Sequence, residues 1–135
     1  MMRRSWLALW LLIPLQLQAA GFDAVKDVSL TMEGGVLSLT VPPGVHLKVA
    51  TFRIKLASQG ILRPGPLPAA TDRDEAGDPI WRGTIRVELR GRDLEDPVRV
   101  TVTYQPCTEG PDAVCYLPVK RTLAMAASEI PAGTP

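Results

Sequence analysis

The sequence predicts an all-β domain, an immunoglobulin-like antiparallel β-sandwich, and three observations carry that expectation. The chain of 135 residues holds 13 prolines and 11 glycines, which disfavours long helices and implies many turns. Its apolar residues recur with a period of two, in short runs that end in turn residues. No segment combines helix caps with a 3.6-residue apolar period. Six or seven such strands over roughly 100 residues are what a two-layer sandwich of this type requires, and the length allows one domain only.

The leader comes first. Met1 to Ala20 opens with Arg3-Arg4, continues as an apolar run from Trp6 to Leu15 broken only by Pro14, and closes on Gln18 and small residues. That pattern is a secretory signal peptide over residues 1–20, too short to be a span, which takes about 20 apolar residues. Small residues allow cleavage after Ala20 or after Gly21. No cysteine follows, so no lipid anchor is expected. The mature protein is expected to be soluble in the periplasm or another extracytoplasmic space, where disulfides are permitted. Without Arg3 and Arg4, 13 basic residues face 14 acidic ones. Such neutrality argues against nucleic acid or an anionic membrane surface as partner.

The mature domain is expected over 21–127. Val25 to Met32 is its first apolar run, and Gly34-Gly35 supplies the tight turn into Val36 to Val41. Pro42-Pro43-Gly44 stops that strand. From Val45 to Leu56 the alternation slips by one residue between Val49 and Phe52, which predicts a bulge or bend. Gln59 to Pro79, with four prolines and many charges, reads as a long polar surface loop. Trp81 to Leu89 alternates most regularly, so one face packs and the other is solvated. Gly91 to Pro97 is a turn, and Val98 to Tyr104 is a strand. A short extended run, Tyr116 to Leu123, follows the two cysteines. Leu123 to Ala127 suits a turn of helix, and the tail 128–135 is expected to be flexible.

The available chemistry is narrow. His46 is the single histidine, so multi-histidine metal sites are excluded, and no nucleophile or phosphate-loop motif is present. No metal and no cofactor are expected. The acidic pairs at Asp74-Glu75 and Asp93 to Asp96 read as solvated turn residues. There remain Cys107 and Cys115, the only cysteines, joined by a turn containing Gly110-Pro111 and flanked by runs able to pair as a hairpin. An intramolecular disulfide is the simple expectation. Two readings of it stand side by side. One is an inert staple in an exported module that binds another protein through a sheet edge or loop. The other is a redox-active pair, because the bridge closes a short loop at a hairpin tip that other proteins can reach. A copper-binding role with Met32 or Met125 is disfavoured by the scatter of the methionines.

Val102-Thr103-Tyr104-Gln105-Pro106-Cys107, a short loop, and Cys115-Tyr116-Leu117-Pro118 resemble the active-site segment of the DsbD N-terminal domain family of thiol:disulfide interchange proteins. Pro43-Gly44-Val45-His46-Leu47, Phe52-Arg53-Ile54, Leu67-Pro68, Asp74-Glu75 and Trp81 to Leu89 are similar to further family segments in the same order. The resemblance covers roughly Leu37 to Met125. It implies that Cys107 and Cys115 cycle between dithiol and disulfide, relaying electrons from a separate membrane donor to exported thioredoxin-fold proteins, with Cys115 as the partner-linked sulfur. It also implies a cap over the cysteines, formed here by Asp72 to Trp81. Ala76 and Gly77 stand where the family carries an aromatic residue, so any shielding is expected from Ile80 or Trp81. The inter-cysteine loop is longer than in the best-known members. The chain ends where a full-length member continues into membrane-spanning helices, so those functions are expected from other chains. Glu109 and Asp112 lie in the loop, where negative charge near sulfur disfavours thiolates and favours the disulfide. His46 is expected to oppose them if its strand lies close. Tyr104 and Tyr116 flank the pair, either packing beside it or belonging to the core.

Overall fold

A computed structural model describes residues 21–133 of the chain; the expected signal peptide lies outside them. Eleven strands follow in order: β1 (Ser29–Glu33), β2 (Val36–Thr40), β3 (Val45–Lys48), β4 (Arg53–Leu56), β5 (Ile61–Pro64), β6 (Asp72–Arg73), β7 (Pro79–Trp81), β8 (Thr84–Arg92), β9 (Val98–Tyr104), β10 (Pro106–Thr108) and β11 (Val119–Met125). Two sheets, ordered β1-β2-β8-β5 and β11-β9-β4, have the strand order of a seven-stranded immunoglobulin-type sandwich, four strands against three. All the strand pairs are antiparallel. The predicted fold class holds.

Alternation builds the core. On β8, Ile85, Val87 and Leu89 turn inward while Thr84, Arg86, Glu88 and Arg90 face solvent. They meet Leu37 and Leu39 of β2 and Val98, Val100, Val102 and Tyr104 of β9, all buried in one cluster. Each such side chain contributes about 1.5–3 kcal/mol through burial. Gly34 and Gly35, both at positive φ, form the two-residue turn that joins β1 to β2, the conformation glycine adopts most cheaply.

A third sheet, β10-β3-β7-β6, carries Cys107 on β10. Its strands lead into or out of the main sheets: β3 into β4, β7 into β8, and β9 into β10. The register slip expected after Val49 is a single 3-10 turn, Val49–Thr51, closed by Phe52 N–H donating to the Val49 carbonyl at 3.2 Å. It passes the chain from one sheet to the next.

Five expectations need correction. Trp81 to Leu89 is not one strand, because the chain changes sheets at Arg82-Gly83, where Gly83 has φ +80°, a value that strains any residue with a Cβ. The stretch 59–79 is not only loop, since β5 pairs with β8 and β6 with β7; β5 is an edge strand and so tolerates Pro64. The first strand begins at Ser29, after a turn in which Asp27 N–H donates to the Asp23 carbonyl. The tail is held as far as Gly133: Ile130 is buried in the core cluster, and Gly91 N–H donates to the Pro131 carbonyl at 3.0 Å while Gly133 N–H donates to the Gly91 carbonyl at 3.1 Å. The helical turn falls later than expected, as a 3-10 turn over Ala127–Glu129, with Leu123 in β11.

Candidate functional site

The β9–β11 ladder ends at Tyr104 opposite Val119, and beyond it the chain continues as a narrow ribbon. Tyr116 N–H donates to the Pro106 carbonyl at 3.0 Å, Thr108 N–H to the Val114 carbonyl at 2.8 Å, and Ala113 N–H to the Gly110 carbonyl at 3.1 Å. These bonds set Cys107 directly opposite Cys115, and a disulfide joins them with an S–S distance of 2.01 Å. The two halves differ in environment. Cys107, on β10, is 2% exposed, whereas Cys115, outside any strand, is exposed to solvent.

Both cysteines line an open cleft of about 660 Å³. One wall is the ribbon loop, the floor includes His46 of β3, and the other wall is the tip of the β6–β7 hairpin, Arg73 to Ala76. The hairpin that resemblance assigned as a cap therefore borders the cysteines. Its contribution to the cleft is polar and charged, however. Trp81 does not supply shielding: it is 1% exposed, packed edge-on against Phe52 at 5.2 Å, with its indole N–H donating to the Pro68 carbonyl at 3.1 Å. Ile80 is likewise buried, and neither residue lines the cleft.

Ion pairs fasten the hairpin in place. Lys48 of β3 donates to Asp74 and, at 3.3 Å, to Asp78. Asp74 also accepts the backbone N–H groups of Ala76 and Asp78, each at 2.9 Å, which folds the tip. Arg82 donates to Asp72 at 2.9 Å and to Glu109 of the cysteine loop at 2.7 Å. Glu109 in turn meets Nδ1 of His46 at 2.8 Å. A continuous line of hydrogen bonds, Asp72–Arg82–Glu109–His46, thus links the hairpin, the loop and β3.

Glu109 was expected to disfavour thiolates if it approached the sulfurs, with His46 opposing it if β3 lay close; here its carboxylate is paired with Arg82 and hydrogen-bonded to His46. Burial opposes its ionisation, but the hydrogen bonds from His46 and Arg82 outweigh that and hold its carboxyl below the usual range. Asp112 is exposed and is not among the residues lining the cleft. Glu75 lines the cleft and is exposed. Arg73 and Arg82 stand against Asp74, Glu75 and Glu109 in the lining, so the wall carries both signs of charge. Tyr104 belongs to the core cluster, its hydroxyl donating to the Ala24 carbonyl at 3.1 Å. Tyr116 packs edge-on against Phe22 at 5.7 Å. Met32 and Met125 both pack on the core. Sequence reasoning missed Lys48, Arg73 and Arg82. The signal available was the acidic excess between Asp72 and Asp78, which calls for nearby cations.

The Lys48 hydrogen bond is the main reason that the Asp74 carboxyl lies below its ordinary value, and for Asp72 the Arg73 backbone N–H leads, followed by Arg82. A carboxylate depressed by folding stabilises the fold above its unfolded pKa, and that contribution is lost as pH falls through the folded value. The hairpin is therefore expected to stay fastened above about pH 5 and to loosen below about pH 4. Hydrogen exchange at Ala76, Gly77 and Asp78, compared at pH 3 and pH 6 after correction for intrinsic rates, measures this. Equal protection at both values would show that the carboxylates do not hold the tip.

Fold and site together define a class: a small immunoglobulin-type domain whose one disulfide sits, half-exposed, at the mouth of a charged cleft. No protein-family profile and no curated protein matches the chain. Among solved structures it is similar to the N-terminal domain of DsbD from Neisseria meningitidis in its reduced form, at 18% identity and a TM-score of 0.49, over 74% of this chain and 82% of that one. It is also similar to the complex between the DsbD and PilB N-terminal domains of the same organism, at 17% identity and a TM-score of 0.48, over 72% of this chain and 79% of that one. No helix among the described residues is long and apolar enough to cross a membrane.

Proposed function

We propose that this chain is an exported thiol-disulfide exchange protein that passes electrons from a separate membrane donor to extracytoplasmic thioredoxin-fold proteins through Cys107 and Cys115. The observation that carries the reading is the asymmetry of the bridge. A permanent staple gains nothing from presenting one of its two cysteines to solvent at the mouth of a cleft, whereas exchange needs one sulfur that a partner can reach and a second held behind it. In the reduced protein the Cys115 thiolate attacks a partner disulfide, forming a mixed disulfide and releasing one partner thiolate. The Cys107 thiolate then attacks Cys115 Sγ, which closes the bridge and releases the second partner thiolate. One dithiol is oxidised and one disulfide is reduced.

Serine substitutions test this. Cys107→Ser leaves the exposed sulfur without its resolving partner and is expected to accumulate mixed disulfides with exported thioredoxin-fold proteins. Cys115→Ser leaves only the buried sulfur and is expected to capture none. Failure of Cys107→Ser to capture any such protein, together with a wild-type reduction potential below about −300 mV, would return the bridge to the role of a structural staple.

A further inference from the structure

We propose that His46 accepts the Cys107 proton in the resolving step, with Glu109 as the positioning residue that orients its ring; this rests on the exchange reading above. His46 and Cys107 are direct partners in the β3–β10 ladder. Such partners point to the same face of a sheet, with β-carbons about 4.5–5.5 Å apart, and both line the same cleft. His46 is 8% exposed, the one buried polar side chain among the described residues, and Cys107 is 2% exposed. Neither belongs to the hydrophobic core cluster. They line the cleft together with residues of the cysteine loop and of the β6–β7 hairpin tip, apart from that core.

The chemistry of the second step supplies the need. A thiol attacks as its thiolate, and a sulfur buried to this degree has little contact with solvent base. Glu109 is held ionised, and an ionised carboxylate only accepts hydrogen bonds. The 2.8 Å contact therefore places a proton on Nδ1, and in the neutral ring this leaves the Nε2 lone pair as the acceptor. Arg82 keeps Glu109 in place at 2.7 Å and is itself held by Asp72. The remaining charged groups around the cleft are Arg73, Asp74 and Glu75 of the hairpin tip, with Asp74 tied to Lys48 of β3. In the step itself, the Cys107 S–H proton moves to Nε2, the thiolate attacks Cys115 Sγ, and the partner sulfur leaves as thiolate. The imidazolium so formed faces the Glu109 carboxylate. Nucleophile, base and orienting acid then stand in the general arrangement of an activated thiol.

Glutathione disulfide serves as the probe. Reduced protein is mixed with it, quenched in acid and weighed by mass spectrometry, which separates formation of the Cys115–glutathione adduct from its closure. His46→Asn keeps a donor for Glu109 and removes the base. Adduct formation is expected to change less than about twofold, while closure slows roughly 100-fold at pH 7 and recovers toward wild type by pH 9. Glu109→Gln is expected to slow closure by a smaller factor and to alter its pH profile. Should His46→Asn not fold, the wild-type profile and Glu109→Gln decide: closure that follows thiol ionisation alone and is unchanged in Glu109→Gln overturns the proposal. Closure by His46→Asn at the wild-type rate at every pH overturns the role of His46 and leaves the exchange reading intact. A wild type that never forms the adduct overturns both.

Discussion

Trp81→Ala is expected to lower the stability of the folded state by about 3–5 kcal/mol. Trp81 is among the largest fully buried side chains, and its position multiplies the loss. On β7 it pairs with Leu47 of β3, its ring meets Phe52 at the end of the 3-10 turn, and its indole N–H ties down the Pro68 carbonyl. Removing it opens a cavity where the small sheet meets the sandwich and also leaves a carbonyl without its donor. A domain of this kind has about 5–15 kcal/mol in all, so the variant is expected to be partly unfolded at 37 °C. Trp81→Phe keeps much of the packing and loses the hydrogen bond, a smaller loss of about 1–3 kcal/mol. Urea unfolding measures both. A shift below about 1 kcal/mol for Trp81→Ala would mean that the junction repacks and that the β6–β7 hairpin does not depend on this anchor.

The sandwich was legible because its strands are long enough to show a period. β8 has nine residues and β9 and β11 seven each, and alternation over such lengths fixes which face is inward. The small sheet was not legible: β3, β6, β7 and β10 have two to four residues, and their membership depends on pairings between distant parts of the chain. The cysteine pair could be read directly from composition and spacing. Its environment could not. Lys48 meets Asp74 across 26 residues and Arg82 meets Glu109 across 27, and a charged residue on the outward face of a strand looks solvated until its distant partner is placed beside it. Ile130 shows the same effect in the core. Set among proline, alanine and glycine it resembles a frayed end, and only the fold shows that it is buried in the core cluster.

Reducing the Cys107–Cys115 bridge is expected to destabilise the domain by roughly 2.6 kcal/mol, the chain-entropy value for a loop of about nine residues, while leaving the sandwich folded. The core cluster closes without either cysteine. The ribbon that carries them keeps its own supports, from Glu109 N–H to the Gly44 carbonyl at 2.9 Å and from the Gln105 side chain to the Tyr116 carbonyl at 3.1 Å. Urea unfolding of oxidised and reduced protein, with dispersion of the amide resonances recorded for each, tests the two halves of this expectation separately. A carrier of electrons must populate both redox states as folded molecules, since it has to dock with a partner in each. Collapse of amide dispersion on reduction would therefore mean that the bridge closes the fold itself, and a sulfur on which folding depends cannot be spent in exchange.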